Sequence, residues 1–318
     1  MPDLRKVAAL VISDVHWGAD KPRARAESDW LGVQLGYLQQ VADLQKQAGQ
    51  CPIIIAGDLF NRWDEPPEAI NRLLAAMPPE VHVIAGNHDM PNHNYRELPR
   101  SAYWTLVESG KVIHHTPTVV AGTSYGLRNL NIHFFPYSFP IIPPSSTNSL
   151  CLNIAIVHDY IWTDKTKIPT APEEKRYACF WKRLKGYNAA FFGDNHKGFL
   201  IPSERGPTIM NCGTFIRRRI DEVSYQPTVG ILYSDGRVAK HYLDTSKDQF
   251  TETTKKLVEL EGTLGVDLTQ FAGQMTDMEG DYLDWSQTVL NYVTTNKLRQ
   301  EVHHLLLRIV KEARGERK

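Results

Sequence analysis

Short apolar runs of strand length alternate with helix-like segments over residues 7–85. The runs VAALVIS, CPIIIA and VHVIA begin at Val7, Cys51 and Val81. Residues 30–47 and 67–77 between them have helical character, and the second segment opens with Pro-Pro-Glu, as helices often do. Strands and helices that alternate at this spacing predict an α/β fold with a parallel sheet. We therefore expect the polar residues after each strand to meet at one edge of that sheet.

The pattern changes after about Lys111, where short strands separated by turns follow one another to about Tyr242. Residues 136–149 are rich in Pro and Ser and predict an exposed loop. Residues 172–184 predict a further helix, which leads into a buried strand with the sequence NAAFF.

Helical periodicity replaces the strands beyond Asp244. Three segments have apolar residues at helical spacing, namely residues 249–261, 285–293 and 298–313. The apolar stripe of the last segment is typical of packing against its own domain, and a partner surface is the alternative. At 318 residues the chain is long for one domain and short for three. We expect a main domain over residues 1–245 and a helical C-terminal region, a cap or a partner-binding surface, over residues 246–318.

Charge, hydropathy and cysteine spacing limit the cellular setting. Lys plus Arg and Asp plus Glu both number 36, so net charge does not indicate a polyanionic partner, although a local basic rim can lie on a neutral protein. No apolar stretch reaches the ~20 residues of a membrane span. The N-terminal run lacks a small-residue cleavage site, which favours a buried strand over a signal peptide. Four widely spaced cysteines, Cys51, Cys151, Cys179 and Cys212, predict free, buried thiols in a reducing cytoplasm.

Five polar clusters follow predicted strands and offer carboxylate, imidazole or amide groups. They are Asp14-Val-His16, Gly57-Asp58-Leu-Phe-Asn61, Gly86-Asn87-His88-Asp89, Val157-His158-Asp159 and Gly193-Asp194-Asn195-His196. These groups suit divalent ions such as Mn²⁺, Fe²⁺ or Zn²⁺. Alternation at a strand end should point Asp14 and His16 toward one ion, and the glycines permit tight turns. One such cluster is commonly a turn or helix cap, but five in this order favour a shared active site.

These motifs resemble the calcineurin-like metallophosphoesterase superfamily, whose pattern is D-x-H, G-D-x-x-(D/N), G-N-H-(D/E), a later His and G-H-x-H. The resemblance covers residues 7–242. It implies a β-sandwich flanked by helices, with a small helical C-terminal appendage, that hydrolyses phosphoesters with two divalent ions. Mn²⁺ is the expected metal, with Mg²⁺, Fe²⁺ and Zn²⁺ as alternatives.

The resemblance also implies a role for each matched residue. The residues that it assigns to metal binding are Asp14, His16 and His196 for the first ion, Asn87, His158 and Asp194 for the second, and Asp58 as the bridge. His88 would donate a proton to the leaving oxygen or stabilise the transition state. Asp194 stands where the family has a histidine. As a ligand it would favour Mn²⁺ or Mg²⁺, and the alternative is that it does not bind and the second ion is weakly held.

Within the superfamily, four stretches are most similar to SbcD-like nuclease subunits of bacteria and phages: ISDVHWGADKPRA, AGDLFNRWDEPPEAINRLL, VIAGNHDMPNHN and MNCGTFIRRRIDE. This similarity implies DNA as substrate, DNA repair as the setting, and an SbcC-like coiled-coil ATPase as a partner bound through the C-terminal helices. A homodimer is compatible with it. Arg62, Arg217 and Arg218 would contact substrate, although a structural salt bridge suits Arg62 equally. A stand-alone phosphatase, a cyclic-nucleotide phosphodiesterase and a catalytically silent scaffold remain as alternatives.

Overall fold

A computed structural model describes residues 7–121, 130–144, 151–167, 171–203 and 206–252, together with Thr254, Lys255 and Val258. The described residues fall into two compact units. The first contains residues 7–218 and Ser224–Thr251, and the second contains Arg219–Val223 and the few described residues after Thr251. The helices predicted at residues 285–293 and 298–313, and with them the boundary at residue 245, lie outside what this structure tests and stay predictions.

Twelve strands and four α-helices are described in the first unit. The strands are β1 (Val7–Ile12), β2 (Ile53–Ala56), β3 (Val81–Ile84), β4 (Ile113–His114), β5 (Thr118–Ala121), β6 (Leu130–Phe135), β7 (Leu152–His158), β8 (Ala189–Gly193), β9 (Phe199–Ile201), β10 (Thr208–Asn211), β11 (Thr228–Tyr233) and β12 (Val238–Tyr242). The helices are α1 (Trp30–Gln47), α2 (Pro67–Ala76), α3 (Ala102–Glu108) and α4 (Tyr177–Phe180). Short 3-10 helices lie at Pro91–His93, Tyr95–Arg100 and Glu173–Lys175, and the second unit contains another at Ile220–Glu222.

Helices α1 and α2 begin where their sequences predict. The Asp29 side chain accepts a hydrogen bond from the backbone N–H of Gly32 at 2.9 Å, which satisfies a donor in the first turn of α1. Pro67 occupies the first turn of α2, where its missing N–H costs nothing.

The prediction of one helix over residues 172–184 is wrong. A 3-10 turn and the short helix α4 occupy this region, and the backbone of Arg176 between them is extended. Arg176 forms a β-bridge with Trp162, and the N–H of Tyr177 donates to the carbonyl of Trp162 at 2.9 Å. Pairing with a distant loop has therefore overridden the local helical pattern.

Two six-stranded sheets pack face to face. Their strand orders are β12-β11-β1-β2-β3-β4 and β5-β6-β7-β8-β10-β9. As predicted, β1 to β3 are parallel, and β4 joins them as a fourth parallel strand. Strand β11 pairs antiparallel with both β1 and β12. Val11 and Ile54 of the first sheet share a core with Phe191 of the second. Helices α1 to α3 cover the outer face of the first sheet around Tyr103, and Phe180 covers that of the second. The predicted α/β sandwich flanked by helices is confirmed.

The carboxyl ends of strands from both sheets meet at one edge. The backbone N–H of Asp14, after β1, donates to the carbonyl of Gly57, after β2, at 3.2 Å. From the second sheet, His158 at the end of β7 reaches the carbonyl of Ala56 in β2. In β8, Gly193 is the register partner of His158. The predicted polar clusters therefore lie on turns that converge.

All four cysteines are free, as predicted, but only Cys51 and Cys212 are buried. Cys151 is half-buried and Cys179 is exposed. In the part of the chain that the structure describes, no helix is long and apolar enough to cross a membrane. Residues 136–144 contain neither helix nor strand, in agreement with the predicted loop, and the rest of that loop lies outside the described residues.

Candidate metal centre

Four candidate ligands lie on turns with an unusual backbone conformation. The φ angles of Asp14, His16, Asp58 and Asp194 are 49°, 46°, 51° and 80°. Residues other than glycine rarely adopt positive φ, and such strain is concentrated at functional sites. Strand β1 ends at Ile12, so Asp14 and His16 converge through this left-handed backbone. The predicted cause, alternation along a strand, is wrong.

The first cluster consists of Asp14, His16 and His196, each of which offers one ligand atom, all within 4.8 Å of one another. The Nε2 atoms of His16 and His196 are 3.0 Å apart. One carboxylate oxygen of Asp14 accepts the backbone N–H of Asp194 at 3.0 Å, which fixes the carboxylate between the turns after β1 and β8. This geometry brings together the three residues predicted for the first ion.

The second cluster is built around His158. Its Nδ1 lies 2.7 Å from the carbonyl oxygen of Ala56, and because a carbonyl only accepts, Nδ1 carries the proton. In the neutral ring Nε2 is then an acceptor, and it lies 3.0 Å from Asn87 Oδ1 and 3.5 Å from Asp58 Oδ1. Nε2 and these two oxygen atoms are all acceptors that face one another, so a proton or a metal cation is needed between them. Burial disfavours a charged ring, but Asp58 raises the pKa of His158 well above its usual value, so positive charge is favoured here.

Asp58 lies within reach of both clusters. Its carboxylate groups with Asp14 and His158, and also with His16 and His88. Burial opposes its ionisation, yet the neighbouring histidines, His158 first, lower the pKa of this carboxyl group. The bridging role assigned to Asp58 stays a prediction, but the position suits it.

Close approach of the turns requires glycine at two positions. Gly57 has φ of 90°, and a Cβ there would overlap the ring of His158. A Cβ on Gly86 would overlap the carboxylate of Asp58. Both glycines therefore allow side chains from different strands to share one small volume.

The donor set fits divalent cations. Burial raises the pKa of Asp14 to about 6, which shows how costly an uncompensated carboxylate is at this position. Two buried carboxyl groups and several imidazoles surround the same small volume, and a divalent ion offsets that cost by binding them directly.

Asp194 is where the chain departs from the family pattern. The residue is half-buried, and burial of its carboxyl group raises the pKa, partly offset by His158. It interacts electrostatically with Asp58 and His196 as well, but the ligand clusters found among the described residues do not include it. Both alternatives for Asp194 therefore remain open.

His88 is the exposed imidazole of the centre. Its backbone N–H donates to Asp58 Oδ1 at 3.0 Å, and its Nδ1 lies 2.9 Å from the carbonyl oxygen of Asn61. Its ring meets that of His16 edge to face, with centroids 4.8 Å apart. Because the Asn61 carbonyl holds Nδ1 as a donor, Nε2 is left for a proton or for a metal. The geometry therefore suits the predicted proton donor and also an additional ligand.

Asp89 organises the centre, although sequence reasoning gave it no role. It is fully buried, and its carboxylate accepts backbone N–H groups of Phe60 and Gly86, both at 2.9 Å, and of Leu59 at 3.3 Å. It thus joins the turn after β2 to the turn after β3. Burial raises the pKa of Asp89 to about 7. The sequence feature that could have identified Asp89 is its place as the fourth residue of the Gly-Asn-His-Asp motif.

Asn195 makes a similar connection between other turns. Its buried amide donates to the carbonyl of Ile161 at 2.7 Å, and its Oδ1 accepts the N–H of Lys197 at 3.0 Å. It therefore joins the loop after β7, which follows His158, to the turn that carries His196.

Arg62 and Arg217, both predicted to contact substrate, bind carboxylates within the protein. The exposed guanidinium of Arg62 makes two 3.0 Å bonds to Asp64, which is the salt bridge given as its alternative. Arg217 donates to the buried carboxylate of Asp248 at 2.7 Å, and Arg25 donates to the same carboxylate at 2.9 Å. Arg217 thus belongs to an interior ion-pair network.

Arg218 is the predicted substrate arginine that the structure connects to the centre. Its Nη2 donates to Asn61 Oδ1 at 2.7 Å, and the carbonyl of Asn61 is the one that holds His88.

Residues 8–198 match the family model described as calcineurin-like phosphoesterase. The chain belongs to this family. The match covers more than half of the chain and includes every candidate metal ligand. Calcineurin-like phosphoesterases are metal-dependent phosphoester hydrolases with dimetal sites, and the clusters around Asp58 are the candidate for that site here.

Solved structures similar to this calcineurin-like phosphoesterase include a dimetal phosphatase from Danio rerio, with 10% identity over 76% of this chain and 97% of the other, and a TM-score of 0.46. A metallophosphoesterase from Sphaerobacter thermophilus has 15% identity over 84% and 99% of the two chains, with a TM-score of 0.38. Zinc-complexed Vps29 from Entamoeba histolytica has 14% identity over 76% and 96%, with a TM-score of 0.36. No curated protein sequence matches the chain. All three TM-scores lie below 0.5, so family membership rests on the match to residues 8–198.

Proposed function

We propose that this calcineurin-like phosphoesterase is an SbcD-like DNA nuclease that hydrolyses phosphodiester bonds with two divalent ions, Mn²⁺ first among them. The observation that supports phosphoester hydrolysis is the exposed imidazole of His88 beside the buried carboxylate of Asp58. DNA as the substrate is supported by the segments that resemble SbcD-like subunits, among them ISDVHWGADKPRA and MNCGTFIRRRIDE.

The residues of the centre have two proposed roles, metal binding and proton transfer. When bound, two divalent ions would activate water and stabilise charge on the phosphoryl group. Asp14, His16 and His196 would hold one ion, His158 and Asn87 the other, and Asp58 both. His88 would protonate the leaving oxygen, because the Asn61 carbonyl fixes its ring and leaves Nε2 available.

A partner forms the second part of the proposal. The segments predicted to be helical at residues 285–293 and 298–313 would bind an SbcC-like coiled-coil ATPase in the cytoplasm. Removal of residues 298–318 should abolish co-purification with that ATPase and leave hydrolysis of a small diester unchanged.

A stand-alone phosphatase or cyclic-nucleotide phosphodiesterase is the second candidate. The chain has no net charge, and the guanidinium groups of Arg62 and Arg217 are bound by Asp64 and Asp248. Both of these arginines were expected to contact substrate, and both are paired within the protein.

One assay distinguishes the candidates. Purified wild-type protein and its Asp58→Ala variant are incubated with Mn²⁺ and linear DNA, bis(p-nitrophenyl) phosphate, p-nitrophenyl phosphate or a cyclic nucleotide. We expect the wild type to cleave DNA and the diester, and the variant to cleave neither. Cleavage of the monoester or the cyclic nucleotide with DNA left intact would replace the nuclease by the second candidate.

A further inference from the structure

Tyr137 lies at the edge of the sheets where the candidate ligands converge. It follows the end of β6 by two residues, and its backbone N–H donates to the carbonyl of Ala85 at 3.0 Å. Ala85 directly precedes the turn Gly86-Asn87-His88. The ring of Tyr137 meets the ring of His158 edge to face, with centroids 6.3 Å apart. A backbone hydrogen bond and a ring contact therefore fix Tyr137 next to the second cluster.

The same ring extends from the centre to the surface of the protein. The exposed imidazole of His93 and the ring of Tyr137 meet edge to face, with centroids 6.2 Å apart. Two residues further along both loops, Tyr95 and Phe139 form a second such pair, with centroids 4.9 Å apart. Tyr137 is half-buried, so part of it stays accessible although its loop is held in place. A ring that is already fixed loses little conformational entropy when a ligand binds to it.

A flat ring beside a phosphoester site suits a flat substituent of the ester. The group esterified to a phosphate at the centre would lie next to Tyr137, because this ring contacts His158. Every nucleobase has a π-face, so an aromatic side chain can stack on any base. Burial raises the pKa of Tyr137, with contributions from nearby carboxylates, Asp194 first, so the ring stays uncharged. An uncharged aromatic ring at this position favours a nucleobase over an aliphatic group.

We propose that Tyr137 stacks on the nucleobase next to the phosphoester under attack, and thereby makes this centre selective for nucleoside esters over alkyl esters. The inference rests on the proposed hydrolysis of phosphodiesters. The base can belong to DNA or to a small nucleotide, and the comparison of linear DNA with a cyclic nucleotide separates these two sources.

The test compares two chromogenic diesters that release the same p-nitrophenolate, thymidine 5′-(p-nitrophenyl phosphate) and methyl p-nitrophenyl phosphate. The ratio of their kcat/KM values is measured on the Mn²⁺-loaded proteins. In Tyr137→Leu this ratio should fall about 5- to 100-fold, the value of one base–aromatic stack. Tyr137→Phe keeps the ring and should keep the ratio within about twofold of wild type. The matched control Tyr242→Leu, which removes an exposed tyrosine of β12, should also keep the ratio.

A binding measurement makes the test independent of turnover. Affinities for thymidine 5′-monophosphate and for methyl phosphate are measured by calorimetry on the same proteins. The wild type should prefer the nucleotide, Tyr137→Leu should lose most of this preference, and Tyr137→Phe should retain it. A wild-type protein that hydrolyses no phosphoester would end the proposed function. The two affinities would still decide on Tyr137, since an equal preference in wild type and Tyr137→Leu contradicts stacking and a reduced preference supports it.

Equal losses for both esters in Tyr137→Leu would overturn the inference, because the ring would then not distinguish a nucleoside from an alkyl group. An equal fall of the ratio in Tyr137→Phe and Tyr137→Leu would overturn it too, because the hydroxyl rather than the ring would be responsible. If Tyr137→Leu does not fold, as judged by its thermal unfolding, the wild-type ratio decides: no preference for the thymidine ester contradicts the inference, and a preference that Tyr137→Phe retains supports it.

Discussion

At the scale of single residues, the contact between His158 Nδ1 and the carbonyl of Ala56 defines the chemistry of the centre. It assigns the proton to Nδ1 and turns Nε2 toward Asn87 and Asp58, so the ring contributes a lone pair where oxygen atoms already face it. A backbone carbonyl can impose this tautomer without adding a negative charge.

Asp58→Ala should abolish hydrolysis and lower the metal content, because Asp58 groups with residues of both clusters. Metal content is measured by mass spectrometry beside Asp43→Ala, which removes an exposed carboxylate of α1. A variant with the wild-type metal content would show that Asp58 does not bridge.

His88→Ala should retain both ions and lose roughly 10²- to 10⁴-fold in rate, the usual contribution of a positioned acid. The control is His93→Ala, which removes an exposed imidazole from the same loop. Parallel loss of metal and rate in His88→Ala would identify His88 as a ligand, which the geometry also permits.

The convergence of the candidate ligands at one sheet edge could be predicted from the sequence, because a polar cluster after an apolar run is a local pattern. The backbone that carries Asp14 and His16 could not, because left-handed φ at non-glycine residues has no sequence signature. Arg217 and Arg218 are neighbours of identical type, and only the fold separates them, since the partner of Arg217 is Asp248, 31 residues further along the chain.

At the scale of elements, the turns after β2 and β3 behave as one unit because the carboxylate of Asp89 binds both. Its carboxylate oxygens accept the N–H groups of Leu59 and Phe60 from the first turn and the N–H group of Gly86 from the second. These turns carry Asp58, Asn87 and His88, so the centre depends on a carboxylate that belongs to none of the candidate ligand clusters.

Asp89→Asn should destabilise the protein by about 1–3 kcal/mol, because an amide N–H₂ replaces an acceptor that faces buried backbone donors. Urea unfolding measures the change. Asp64→Asn, which breaks an exposed salt bridge, should cost at most about 1 kcal/mol. Equal costs in the two variants would show that Asp89 is not a structural acceptor.

Prediction failed for elements where distant pairing competes with local pattern. Residues 172–184 have helical character, yet Arg176 pairs with Trp162 and interrupts the helix. Helix α1 has no such competitor, and its predicted bounds are confirmed. Element type was predictable wherever local propensity and tertiary pairing agree.

At the scale of the whole molecule, the sandwich buries histidines that must stay neutral. Nδ1 of His82 in β3 lies 2.8 Å from Nε2 of His115. The ring of His115 stacks on the ring of Phe134, with centroids 3.9 Å apart. Burial lowers the pKa of His82 to about 4 and that of His115 to about 3, the latter with help from His82.

The free energy of unfolding should therefore fall as pH decreases from about 6.5 toward 4. In this window the two histidines bind protons in the unfolded chain but stay neutral in the folded protein. The variant His82→Gln/His115→Gln should show a shallower slope of unfolding free energy against pH. Urea unfolding in the presence of a chelator measures both slopes without a contribution from metal release. Identical slopes would show that this pair does not contribute to acid sensitivity.

The ion-pair network around Arg25 sets a limit on how far the catalytic part can be shortened. Asp248 accepts from Arg25, Arg217 and Tyr37, and Phe250 packs against both guanidinium groups. A fragment that stops at residue 245 would lack the carboxylate that Arg25 and Arg217 share, although Arg25 would keep Glu27, at a cost of up to about 3–5 kcal/mol. A fragment ending at Thr251 should melt at a clearly higher temperature, and equal melting temperatures would contradict this. The six residues 246–251 thus decide whether a stable, shortened enzyme can be made.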